Sequence, residues 1–154
     1  MQTAKQLSVK LVNKPGRLAD MLAALAKEKV SFRALAVMDS GMRGTVRFVP
    51  DDPKAAKQVL AAISVDAETE DVLLADVPSQ AGAFRKICER LAEEHLNIDY
   101  AYCSFQTPGR GKSGVLAVIK VNDLAKAQRV LSENGTAARG RLLVRRSVAS
   151  RGRG

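Results

Sequence analysis

A chain of 154 residues can form one mid-sized domain or two small ones, and with 46% apolar residues, 4% aromatics and no Trp its core must be built from Leu, Val, Ile and Ala. No apolar run approaches the roughly 20 residues of a membrane helix, MQTAKQLSVKLV lacks the apolar stretch of a secretory signal, and Cys88 and Cys103 are too few for a disulfide framework. Six of the 25 basic residues behind the charge of +9 are arginines from Arg139 onward, with no acid among them, which leaves 19 basic against 16 acidic side chains in a nearly balanced body. The expectation is a reduced, soluble, cytoplasmic protein without a membrane partner.

The first elements follow from periodicity. KQLSVKLV alternates Leu7, Val9 and Leu11 with Lys and Ser, the pattern of a half-buried strand. From Arg17 the spacing becomes helical, with Leu18, Met21, Leu22, Leu25 and Val30 as the apolar stripe. FRALAVMD and GTVRFVP read as two strands joined by a hairpin at SGMRG. Acids before a proline open a helix in DDPKAAKQVLAAI, with Val59, Leu60 and Ile63 on its buried side, and VDAETEDVLLADV holds a further apolar segment.

The second half repeats this order. Leu18, Leu22, Leu25 and Val30 align with Phe84, Cys88, Leu91 and Leu96 at the offset that carries Gly16 to Gly82. GVLAVIKV then answers GTVRFVP, NDLAKAQRVL answers DDPKAAKQVL, and GRLLVRRSV supplies a closing strand. Each unit is strand, helix, strand, strand, helix, strand. Right-handed crossovers make that an α+β, ferredoxin-like unit, an antiparallel sheet with both helices on one face. The units are placed at residues 1–70 and 71–148, with 149–154 as a basic disordered tail. Residues 65–77 must end one unit and begin the next, so either both strands there are short or one pairs with the other unit. Strands such as ALAVM and VLAVI are apolar on both faces, so the face away from the helices is expected to pack on the sister unit or on another chain. A twofold dimer is the simplest such oligomer.

Each copy joins its first strand to its first helix through a glycine loop: VNKPGRL in the first, VPSQAGAF in the second. A helix start leaves N–H groups unpaired and carries a partial positive charge, and glycine lets a ligand approach the backbone. That suits a carboxylate or phosphate. Asn13 can cap the helix or grip a small zwitterion, whereas Pro15-Gly16 and Asn13 also serve as plain turn residues.

LVNKPGRLADMLAALAKEKVSFRALAV resembles the first half of an ACT domain through Asn13, Pro15, Gly16 and Leu18. The second copy keeps Gly82 and Asn97-Ile98 but has Ser79 for the Asn, Ala81 for the Pro and Phe84 for the Leu. The resemblance covers residues 5–148 and is nearest to compact tandem ACT proteins without a catalytic domain. It implies a non-enzymatic amino-acid sensor, with a free amino acid as ligand and no cofactor or metal. It places one site at Asn13, Pro15, Gly16, Arg17 and Leu18, joined by Ser31, and a second at Ser79, Gln80, Gly82, Ala83, Phe84, Asn97 and Ile98. The alternative it carries is a regulatory subunit of a biosynthetic enzyme, as the small subunit of acetohydroxyacid synthase also has an Asn-x-Pro-Gly loop.

Other motifs point to no chemistry. Gly111-Lys112-Ser113 lacks the preceding glycine of a P-loop, since position 106 is Gln106, and a strand follows it. His95 is the only histidine and reads as a helix-end residue; Cys88 reads as packing. The RRSVASRGRG tail could touch nucleic-acid phosphate, but it carries no stacking aromatic, so nucleic acid is not the expected partner.

Overall fold

The computed structural model describes residues 2–104 and 114–132. The first unit runs β1 (Gln2–Val12), α1 (Arg17–Lys27), β2 (Phe32–Ser40), β3 (Arg43–Pro50), α2 (Pro53–Ala62) and β4 (Ala67–Pro78). The second continues with α3 (Ala83–Glu93), β5 (Ile98–Cys103), β6 (Gly114–Val121) and a helix α4 described over 124–132. The GKS segment, the expected closing strand GRLLVRRSV and the arginine tail lie outside the described residues.

All strand pairs are antiparallel, in one six-stranded sheet of order β2-β3-β1-β4-β6-β5. The shortage between residues 65 and 77 is resolved by sharing. β4 is one strand of 12 residues whose 67–74 stretch pairs with β1 and whose 73–78 stretch pairs with β6. Leu73 and Leu74 have strand partners on both sides, Thr3 and Gln2 on one, Ile119 and Val118 on the other. Residues 70 and 71, where the two units were divided, are consecutive positions of this strand.

Side chains alternate across the sheet as strand geometry requires. Leu7, Val9, Val46 and Phe48 face α1 and α2, packing on Met21, Leu25, Ala56 and Leu60. Leu73, Ala75, Ala117 and Ile119 face α3 and α4, packing on Ile87, Leu91, Ala127 and Leu131. The opposite face curls on itself: Ala34 of β2 bridges to Ser104, just beyond β5, so the two edges of the sheet meet there. Ala34, Val49, Val72, Leu74 and Val118 fill the hollow as a third core, drawn from both units. The apolar second face of the strands is thus covered within one chain by the sister unit.

Local chemistry sets the helix boundaries. Asp52 Oδ1 accepts from Ala55 N–H at 3.0 Å and Pro53 follows, as the DDP sequence predicts for the start of α2. The helix ends were not foreseen. Lys29, Ser64 and His95 all take left-handed backbone (φ 56°, 60° and 56°) just past α1, α2 and α3, where glycine is the usual residue. At the α3 end, His95 N–H donates to Ala92 C=O at 2.9 Å and Leu96 N–H to Leu91 C=O at 2.8 Å. His95 therefore has a structural place, and the length of β5 separates it from the exposed Cys103 at that strand's far end. Cys88 is half-buried on α3.

Candidate functional site: the glycine loops and the hollow of the sheet

At the end of β1 the chain turns tightly. Lys14 N–H donates to Val12 C=O at 2.9 Å, Arg17 N–H to Lys14 C=O at 3.3 Å, and Gly16 takes φ 88° at the start of α1. Among the described residues no side chain caps this helix. Asn13 is tied elsewhere: its backbone N–H donates to Met42 C=O at 3.0 Å and its Nδ2 to Gly41 C=O at 3.4 Å, which fastens the loop to the β2–β3 hairpin. A Cβ built on Gly16 would have no atom within 4 Å, so the outer side of the loop is open. The cleft beside it, lined by Val12, Asn13, Lys14, Arg17 and Leu18 together with Val37 and Gly44, holds 70 Å³, room for about two waters. Pro15 and Arg17 are exposed and Leu18 half-buried.

The second loop repeats the backbone. Gly82 has φ 80°, α3 has no side-chain cap, and space beyond the glycine is again open. Ala83 N–H donates to Gln80 C=O at 3.2 Å, and Ser79 and Gln80 are exposed. Phe84 is 38% exposed, so its ring stands at the surface of α3 and is not buried in the core.

Ser31, Asn97 and Ile98 do not join the loops that the resemblance groups them with. Ser31 follows α1, whose 11 residues put it about 16 Å from Gly16 along the helix axis. Its hydroxyl donates to the Asp51 carboxylate, and Asp51 N–H donates to Ser31 C=O at 3.0 Å. Asn97 N–H donates to Asn122 Oδ1 at 3.0 Å and its Nδ2 to Asp99 Oδ1 at 2.9 Å, so Asn97 pins the turn entering β5 to the turn leaving β6. Antiparallel pairing of β1 with β4 puts the two glycine loops at opposite ends of the sheet. By the same alternation Ser31 lies at the end holding Gly82, and Asn97 and Ile98 at the end holding Gly16.

Sequence reasoning missed a polar chain inside the sheet. Tyr102 Oη donates to Gln6 Oε1 at 2.7 Å, Gln6 Nε2 donates to Tyr100 Oη at 2.6 Å, and Tyr100 Oη donates to Glu70 Oε2 at 2.7 Å. Gln6 is fully buried, and the Arg47 guanidinium lies 4.0 Å from the centre of the Tyr100 ring. Only the alternation in DYAYC hinted at it. Burial raises both phenols above their ordinary value of 10.0; at Tyr100 the hydrogen bond to Glu70 adds to the rise, and at Tyr102 the charge of an ionised Tyr100 does. A raised phenol contributes stability that is whole below pH 10 or so and is lost as the pH climbs through the folded value. The melting temperature is therefore expected to fall steeply above about pH 10, and less steeply in Tyr102→Phe. Parallel pH profiles for the two proteins would contradict this.

Among the described residues no cluster of three or more His, Cys, Asp or Glu could hold a metal ion, and no described helix is long and apolar enough to cross a membrane. The family model for the ACT domain pair matches residues 2–138. A solved protein from Bacteroides thetaiotaomicron is 30% identical with a TM-score of 0.78, over 86% of this chain and 89% of its own. The regulatory subunit of aspartate kinase from Thermus thermophilus, in its ligand-free form, has a TM-score of 0.59 at 16% identity, over 85% of this chain and 91% of its own. The corresponding subunit from Thermus flavus has a TM-score of 0.56 at 18% identity, over 86% and 94%. At those identities the likeness to the two subunits is one of fold. No curated protein matches the sequence.

Proposed function

We propose, from the premise that this chain belongs to the ACT domain pair family, that it is a non-catalytic, cytoplasmic regulator that binds a free amino acid at the glycine loop entering α1. The observation that carries this reading is the backbone of that loop: a left-handed Gly16 with open space beyond it, at the start of an 11-residue helix that no side chain caps. First-turn N–H groups and the helix dipole then face a carboxylate. The Gly82 loop has the same backbone and is a second seat of the same kind. A cleft of 70 Å³ covers only part of an amino acid, so the remaining wall comes from outside this chain, most simply from a second copy in a homodimer. Ligand held between two copies favours the arrangement that binds it better, and a partner enzyme reads the difference. The role named for the two Thermus neighbours, regulatory subunit of aspartate kinase, supports that kind of output.

A thermal-shift series over the twenty free amino acids tests the reading. At a hundred times its dissociation constant a ligand stabilises by about 2.7 kcal/mol, a rise of roughly 5–10 °C for a chain of this size. Gly16→Asp, which sets a carboxylate where the ligand's own would sit, is expected to weaken that binding at least tenfold. Asp tolerates left-handed backbone, and nothing crowds the position, so the variant stays folded. An undiminished shift in folded Gly16→Asp would remove the loop from the site.

A further inference from the structure

We infer that the open end of the curled sheet, whose cavity borders the cleft beside Gly16 and shares Leu11, Val12 and Arg17 with it, is a second small-molecule site, for a long dipolar metabolite whose carboxylate and ammonium stand several ångströms apart. The hollow is plugged at one end by the apolar core of Ala34, Val49, Val72, Leu74 and Val118. At the other end it opens into a cavity of 680 Å³. Strand register sorts the charges around it. Arg47 of β3 and Glu68 of β4 both pair with Ser8 of β1, so they flank one small side chain in a single row across the concave face. One row further out, Thr45 pairs with Lys10, and Arg43 lies beyond on β3. The wall formed by β3 and β1 therefore carries Arg47, Arg43 and Lys10, and the wall formed by β4 and the residue leading into it carries Glu70, Glu68 and Asp66.

Arg47 and Glu68 do not neutralise each other across the gap. The ion pairs among the described residues are Lys5–Asp71, Arg85–Glu89 and Lys126–Glu94, so neither Arg47 nor Glu68 is in one. Two strand spacings separate β3 from β4, about 10 Å, and Ser8 between them is too short to fill the gap. Arg47 supplies the second observation. Its guanidinium is held over the Tyr100 ring and its Nη1 donates to Met38 Sδ at 3.5 Å, yet its Nε is buried without a hydrogen-bond partner among the described residues, a donor whose desolvation is uncompensated. A carboxylate entering from the open end would satisfy it, while an ammonium at the ligand's other end would meet Glu68 and Glu70. The α-ammonium and carboxylate of an amino acid sit side by side and cannot reach both walls; the distant ammonium of an ω-amino acid, of a lysine-like side chain or of a short peptide can.

The site has its own reporter. The chain contains two tyrosines and no Trp. Both tyrosines sit at the floor of this hollow, one under Arg47 and bonded to Glu70. Tyrosine emission of the full chain, titrated at neutral pH with 6-aminohexanoate, should change saturably, and hexanoate and hexylamine should each bind at least tenfold more weakly. Arg47→Gln and Glu68→Gln should each weaken 6-aminohexanoate at least tenfold, while Glu89→Gln, which removes an exposed carboxylate of α3 outside the cavity, leaves it unchanged. Triglycine carries the same two charges on a peptide; binding by either probe supports the assignment, and the tighter one names the source. Arg47 packs on Tyr100 and its variant can misfold, so Glu68→Gln, on the exposed rim, decides the matter in a protein with unaltered circular dichroism. The assignment is overturned if 6-aminohexanoate gives no saturable change, if hexanoate binds equally well, or if folded Glu68→Gln keeps full affinity.

Discussion

Leu74→Asp is expected to destabilise the protein by roughly 4–5 kcal/mol, and to do so in both units at once. Leu74 is 2% exposed and lies in the core that lines the hollow. Its neighbours there include Ala34 and Val49 from the first unit and Val118 from the second. Among the described residues its backbone position is also one of the two in β4 with strand partners on both sides. A carboxylate placed there is buried without a counter-charge, and the cavity left by the lost isobutyl group adds to the cost. For a chain of this length the melting temperature should drop by about 10–20 °C. Because β4 belongs to both units, wild type and variant alike should unfold in a single transition, with calorimetric and van't Hoff enthalpies equal. Leu74→Met keeps volume and polarity and should cost under about 1.5 kcal/mol. Two resolved transitions, with only one moved by Leu74→Asp, would show that the halves fold separately.

Gly114→Ala is the second large effect. Gly114 opens β6 opposite Pro78, with φ 141°, a conformation L side chains rarely adopt. A Cβ there would lie 2.3 Å from the Val77 carbonyl oxygen and 3.0 Å from Pro78 Cα. Both obstacles are backbone of the shared strand, so relief requires β4 and β6 to separate where the second unit's sheet begins. Backbone strain and overpacking together are expected to cost about 3 kcal/mol, or roughly 6–12 °C in melting temperature. Gly16→Ala gives the contrast. No atom lies within 4 Å of its Cβ, so only the left-handed backbone is penalised, by 1–2 kcal/mol or so. Equal losses in the two alanine variants would mean that close approach of β4 to β6 is not what fixes Gly114.

The comparison of these two glycines shows what a sequence displays and what it hides. The duplication was legible because it is local. The offset from Gly16 to Gly82 follows from residue order, and the structure repeats it in the backbone, with φ 88° and 80° at the two glycines and 56° at both Lys29 and His95. The amphipathic stripes of α1 and α3 and the DDP start of α2 were legible for the same reason. Sharing of β4 was open at residues 65–77, since pairing partners far apart in sequence leave no mark on a strand's own pattern beyond its apolarity on both faces. That two-faced apolarity in ALAVM and VLAVI did point to a covered inner surface, which the third core supplies.

The candidate site was legible in part. Gly16 and Gly82 stand at the starts of α1 and α3, the strand-to-helix junctions that residue order implies. Ser31, Asn97 and Ile98 stand at the opposite ends of the sheet from the loops they were grouped with, because a helix of 11 residues intervenes in each unit. Asn13 was open to a capping or ligand-gripping role, and its amide instead bonds to the hairpin at Gly41, 28 positions away. Gln6 gave no signal at all: its partner Tyr100 is 94 positions away, and only the curl of the sheet brings them together.

Regulation by a free amino acid requires that the N-terminus of α1 receive a metabolite carboxylate. A crystal structure grown with the amino acid that gives the largest thermal shift tests this most directly. Density for that amino acid is expected at the Gly16 turn, its carboxylate about 3 Å from first-turn N–H groups of α1, with a second copy of the chain closing over it. Density for the amino acid at any other place, with the Gly16 turn empty or blocked by side chains of a neighbouring copy, would contradict it.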